Sequence, residues 1–140
     1  MTDVTSHKSA RFRPAGIAAT LPDSAPTMLA DIYLTDRPDA SSRVFRAYTG
    51  VPPHYHRECD EYLYVLSGRG TFWMEDAATE AEFGPGDMLF FERGVVHALP
   101  VLLEEPVIFL TLDTPRRSPE DVVFIDPSAG NAGTFMNRNR

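Results

Sequence analysis

The sequence predicts an all-β fold, a sandwich or small barrel. Three observations carry this. Short runs of branched and aromatic residues recur along the chain, Gly and Pro turns divide them, and no amphipathic stretch exceeds three helical turns.

The elements follow in order. Residues 1–15 are polar and irregular and predict a flexible arm. Residues 16–30 contain Pro22 and Pro26 with little period-2 alternation, which suggests an edge segment or turn. Residues 31–35 read as a short strand, 36–42 as a turn cluster, and 43–49 as a strand closed by Gly50 and the Pro52-Pro53 pair. Runs 61–66 and 71–75, joined by Ser67-Gly68-Arg69-Gly70, have the signature of a hairpin. Residues 77–82 suit a second hairpin connection. Turns at 84–87 and 92–94 precede strands 88–91 and 95–99. Strand 107–112, a loop, and a short strand within 122–125 come next. Residues 126–140 are rich in Gly, Asn and Arg and predict a loose tail. One domain over 16–125, with an arm and a tail, is the expected organisation, and there is no internal repeat.

Composition narrows the function. The chain has 140 residues, enough for one core, and 43% of them are hydrophobic. Its net charge of −7 argues against nucleic acid, which needs a cationic footprint, and against an anionic membrane. No apolar run approaches the ~18 residues that span a bilayer, and the first residues lack a signal-peptide pattern, so a cytoplasmic location is expected. A single cysteine, Cys59, excludes an internal disulfide framework and reads as a small loop side chain.

Chemistry concentrates in two segments. His54 and His56 are two apart, so on a strand they share a face and reach one ion. A loop of four residues, 57–60, brings Glu61 back, and His97 follows the 92–94 turn. Imidazole is the commonest metal-binding side chain. Three imidazoles and a carboxylate suit Fe(II), Mn(II), Ni(II), Zn(II) or Cu(II). An octahedral ion on four protein ligands keeps positions for water or substrate. Each imidazole is expected to be held through its other ring nitrogen, and metal affinity to fall below about pH 6.5 as the histidines protonate. His7 lies in the polar arm and reads as solvated.

These segments read His54-x-His56-x4-Glu61-x6-Gly68 and Gly86-x5-Glu92-x-Gly94-x2-His97-x3-Val101. They resemble the two motifs of the cupin superfamily, over residues 50–101. The four positions that hold metal in the family are filled by His54, His56, Glu61 and His97. Three positions depart: Gly50 stands closer to His54 than the family's glycine does, Glu92 replaces a turn proline, and Val101 replaces a terminal asparagine. None of these is a ligand position. The resemblance implies a double-stranded β-helix, or jelly-roll barrel, that encloses a ligand cavity, and it implies a homodimer.

Alternation along 61–66 puts Glu61, Leu63 and Val65 inside the barrel, with Tyr62, Tyr64 and Leu66 outside. Phe90, Phe91, Trp73 and Met88 read mainly as core. Arg46 and Tyr48, which share a strand face, and the turn carboxylate Glu92 are the candidate catalytic groups. A metal-dependent dioxygenase or isomerase acting on a small molecule is the leading functional expectation. The alternatives are a small-molecule binding or sensing module and a structural protein stapled by its metal.

Overall fold

The computed structural model describes residues 9–136. Nine strands and two short helices follow in chain order: α1 (Pro14–Ala18), β1 (Leu29–Arg37), β2 (Ala40–Ala47), β3 (Val51–Tyr55), β4 (Asp60–Met74), β5 (Ala81–Phe83), β6 (Met88–Phe91), β7 (His97–Leu99), β8 (Leu102–Thr114), β9 (Val123–Phe124) and α2 (Ala132–Phe135). The sheet runs β1-β2-β8-β4-β7-β3-β9, with β5 and β6 also paired to β4. Every strand pairing is antiparallel. The sheet curls so that inward side chains meet in one apolar cluster, which includes Phe45, Val51, Leu63, Val65 and Phe109. The fold is all-β. None of the described helices is long and apolar enough to cross a membrane.

Two strands organise the curl. β4 pairs with β8 and β6 through its first half, and its last residues, Trp73 and Met74, pair with β7. The expected hairpin at 67–70 does not form. β4 runs straight through it, and the irregularity appears as register shifts between Val65 and Gly70. The cause is close backbone approach. Gly68 has φ +84°, and a Cβ there would lie 2.4 Å from the Pro106 carbonyl oxygen. Glycine therefore bends the strand here rather than ending it. Gly68→Ala is expected to lower stability by about 2–3 kcal/mol, from the left-handed backbone and the clash together. A urea melt of the variant checks this, and a wild-type midpoint would contradict it.

β2 is buried on both faces. Arg43, Phe45 and Ala47 point into the barrel. Val44 and Tyr48 belong instead to a second cluster, where Phe12, Ile17 and Ala18 cover the sheet from outside. Part of the expected arm is thus structured. Residues 1–8 lie outside the described residues, but α1 starts at Pro14, a residue suited to a first helical turn.

The expected tail also departs from expectation. Asn131 caps α2 by accepting from the Gly133 and Thr134 amides, and the Thr134 hydroxyl accepts from the Asn131 amide. This capping box aims Phe135 and Met136 back at the barrel, where both are buried. Residues 137–140 lie outside the described residues. Among the large apolar residues expected in the core, Phe91 is buried, Trp73 is half-buried, and Phe90 and Met88 are exposed on the outer face.

Candidate metal centre

Four side chains from separate elements meet at one point inside the barrel. His54 comes from β3 and is the direct cross-strand partner of His97 on β7, with ring centroids 4.3 Å apart. His56 follows the end of β3. Glu61 stands near the start of β4, opposite Phe91 of β6 and Asp113 of β8. All four are buried. The donor atoms of the three imidazoles lie within 4.8 Å of one another. Glu61 Oε1 is 3.4 Å from both His56 Nε2 and His97 Nε2.

Each imidazole is held by its far side. His54 Nδ1 is 2.8 Å from the Pro52 carbonyl oxygen, His56 Nδ1 is 2.6 Å from that of Asp121, and His97 Nδ1 is 3.0 Å from that of Val95. A carbonyl oxygen only accepts, so each Nδ1 carries the proton and donates it. Each Nε2 is then a bare lone pair. The Nε2 atoms of His56 and His97 are buried with no hydrogen-bond partner. Phe91 lies flat on the His97 ring, 3.9 Å between centroids and 9° between planes, and fixes its tilt. Asp121 clasps the loop after His56, since its carboxylate accepts from the amides of Arg57 and Glu58 at 2.7 and 3.0 Å.

These residues fit a divalent cation. Two ligands each ~2.1 Å from one ion lie about 3.0–3.4 Å apart at right or tetrahedral angles, which matches the carboxylate–imidazole spacing. Buried polar atoms without partners call for an explanation, and an ion supplies one. A buried ionic network stands beside the site: Asp31, Glu61 and Asp113 surround Arg43, and Arg117 also faces Asp113.

Sequence reasoning missed this ionic network. Arg43 is buried and reaches Asp113 at 3.0 Å, Asp31 at 3.4 Å and the outer oxygen of Glu61 at 3.9 Å. Alternation along β2 was the available signal, because it puts 43 and 45 on one face and 46 and 48 on the other. The candidates Arg46 and Tyr48 accordingly lie outside the barrel. The Tyr48 hydroxyl donates to the Pro22 carbonyl at 2.5 Å, and Arg46 pairs with Asp23 at 3.5 Å. Glu92 is exposed on its turn. None of the three lines the cavity beside the histidines. Cys59 is buried, and burial pushes its thiol pKa up, so it stays a protonated, inert side chain.

Residues 45–113 match the sequence profile of the cupin domain. The chain belongs to the cupin superfamily. A 66-residue stretch is 33% identical to an uncharacterized protein of Aquifex aeolicus (strain VF5), covering 47% of this chain and 53% of that one. The match spans about half the length of that curated relative. Solved structures show the same cupin fold. KdgF from Halomonas sp. superposes with a TM-score of 0.60 at 23% identity, covering 69% of this chain and 86% of that one. An uncharacterized Klebsiella pneumoniae protein with a double-stranded β-helix domain gives 0.60 at 18%, covering 78% and 92%. Oxalate decarboxylase from Bacillus subtilis gives 0.53 at 24%, covering 62% and 24%. These identities establish a shared double-stranded β-helix and nothing finer.

The metal-free protein is expected to lose stability as pH falls. Burial holds the His54 pKa well below 6.5, and the neighbouring His97 and His56 push it the same way. Burial alone would raise Glu61, but His56 and His97 outweigh it and hold Glu61 well below 4.5. Both folded-state values lie under the unfolded ones. The stability each group contributes is full above its unfolded value and is lost as pH falls through its folded value. Thermal melts of metal-free protein should therefore decline steadily between about pH 6.5 and pH 4. A flat profile over that window would contradict the assignment.

Proposed function

We propose that this cupin is a mononuclear metalloenzyme of oxygenase type, with a divalent transition metal on His54, His56, Glu61 and His97. The observation that carries the reading is the convergence of three imidazoles, each anchored through Nδ1 on a backbone carbonyl, around one buried carboxylate. A bound ion supplies Lewis acidity and, if redox-active, electrons for reaction with O2. The chain does the rest. The three histidines and Glu61 offer a fixed donor set, Arg43 stands 3.9 Å from the second oxygen of Glu61, and apolar walls exclude water.

The cavity lining favours oxygenation over isomerisation. Apart from Arg43, His54, Glu61 and His97, every lining residue is apolar. Isomerisation needs a group that takes and returns a proton within hydrogen-bond reach. Burial pulls the Arg43 pKa down, but Asp113 and Asp31 more than offset this and leave it above the usual arginine value. The other three polar groups are committed to the ion. No uncommitted base faces the cavity among the described residues.

The metal-staple reading is favoured by one observation: the cavity beside the histidines has a free volume of about 10 Å3, room for about one water. The deciding experiment loads metal-free protein with Fe(II), Mn(II), Ni(II), Zn(II) or Cu(II) and screens small-molecule panels for oxygen uptake and for isomerisation. Oxygen uptake with one metal supports the proposal. Isomerisation without oxygen uptake overturns it, and tight metal binding with no turnover selects the staple. A homodimer is the proposed assembly, supported by the exposed Tyr64, Met88, Phe90 and Leu112 on the outer sheet face. Sedimentation velocity tests it.

A further inference from the structure

We infer that Ala132–Met136 is a displaceable plug seated in the substrate subsite, and that the substrate brings a flat apolar group to the place Phe135 now fills. The inference rests on the function proposed above and names the substrate class for that site. Small-molecule pockets hold about 300–1,000 Å3, and about 10 Å3 is free here. Phe135 and Met136 line this cavity, and with so little free volume no substrate fits while they are in place.

The attachments of this segment are few. The Met28 amide donates to the Thr134 carbonyl at 2.9 Å, and Leu29 bridges Met136. The four-residue helix is too short to be stable alone, so its position depends on the burial of two side chains. Residues 125–128, Asn131, Gly133 and Thr134 are exposed. Local opening of such a segment costs much less than global unfolding.

The seat itself describes its occupant. Phe135 lies against the His54 ring at 5.4 Å, the His56 ring at 6.5 Å and the Phe124 ring at 5.9 Å. The Arg117 guanidinium stands 5.7 Å from the Phe135 ring centroid. Aromatic walls and a cation at one side favour a flat π-bearing group over a puckered aliphatic one. A molecule in that seat touches two of the imidazoles proposed to hold the ion, so an oxygen-donor head on it lies beside the ion.

The test uses full-length protein loaded with Co(II), whose visible bands report binding at the metal. Acetate, cyclohexanecarboxylate and benzoate are titrated in turn, sharing a carboxylate head and differing in body. Benzoate is expected to bind at least ~10-fold tighter than acetate and several-fold tighter than cyclohexanecarboxylate. Amide exchange in 131–136 should be faster than in β2 and should quicken when benzoate binds. Phe135→Ala should tighten benzoate by about 10-fold, because the open state no longer has to be selected from a closed one. Phe135→Leu, a milder change, should shift it in the same direction. Equal affinities for benzoate and acetate would overturn the flat-group claim. Exchange in 131–136 as slow as in β2 and unmoved by benzoate would overturn the plug. Failure to bind Co(II) would instead overturn the proposed function, and exchange in metal-free protein would still decide whether the segment opens.

Discussion

His97→Ala is expected to lower metal affinity by well over 100-fold and to abolish the rise in melting temperature that metal gives the wild type. Losing a group that merely orients a ligand costs about 10–100-fold in affinity, and losing a donor atom costs more. The wild-type protein at 100 times the metal's dissociation constant gains about 2.7 kcal/mol, a rise on the order of 10 °C for a chain this size. His97 is the informative position because its Nε2 is buried, partnerless and 3.4 Å from Glu61, while its ring is already fixed by Phe91 and the Val95 carbonyl. The substitution also leaves a hole beside Phe91, so the metal-free variant will melt lower on that account alone. The diagnostic quantity is the difference between loaded and metal-free melts, alongside a direct titration with Zn(II) or Co(II). A variant that keeps the wild-type shift and affinity would remove residue 97 from the centre and leave the other three without a third imidazole.

The clustering of His54, His56 and Glu61 was legible because its signal is local. His54 and His56 share a face by simple alternation, and four intervening residues are enough for the chain to turn and present Glu61. His97 is different: sequence tied it to the others only through its match to the second cupin motif, because its approach is a contact between distant strands, and the structure puts it directly across from His54. The rest depends on contacts distant in sequence. Arg43 and Arg46 look equivalent until strand parity is fixed, and parity is set by pairing with β8, some 70 residues on. Ser67–Gly70 has the composition of a turn, yet β8 runs alongside both halves of β4 and keeps them one strand. The C-terminal segment is polar and Gly-bearing, which describes a loop accurately and a loose tail wrongly. Its two large apolar residues, Phe135 and Met136, and the Asn131-x-x-Thr134 spacing were the signals that it returns to the barrel.

Arg43→Met should be the most destabilising single substitution in the barrel that leaves its volume nearly unchanged. Methionine fills most of the same space, so the effect isolates charge. The guanidinium is almost wholly removed from water and stands among Asp113, Asp31 and Glu61. Removing it leaves carboxylates in a low-dielectric interior, with Arg117 3.6 Å from Asp113. Breaking a buried pair from one side costs about 3–5 kcal/mol, a large part of the 5–15 kcal/mol that holds a typical domain together. Urea melts of the metal-free protein measure the loss. The double variant Arg43→Met with Asp113→Leu separates the explanations. If the penalty comes from an orphaned carboxylate, removing Asp113 as well recovers much of the stability, since an apolar replacement of a buried pair is often neutral or better. If the double variant is as unstable as the sum of its parts, the loss reflects shape rather than charge. Metal adds a further constraint. With Arg43 gone, Glu61 loses the guanidinium that stands 3.9 Å from its outer oxygen and is placed less firmly, so affinity should fall by about 10–100-fold with all four donor residues still present. An Arg43→Met protein with wild-type stability and wild-type metal affinity would show that the guanidinium neither balances these carboxylates nor helps to place Glu61.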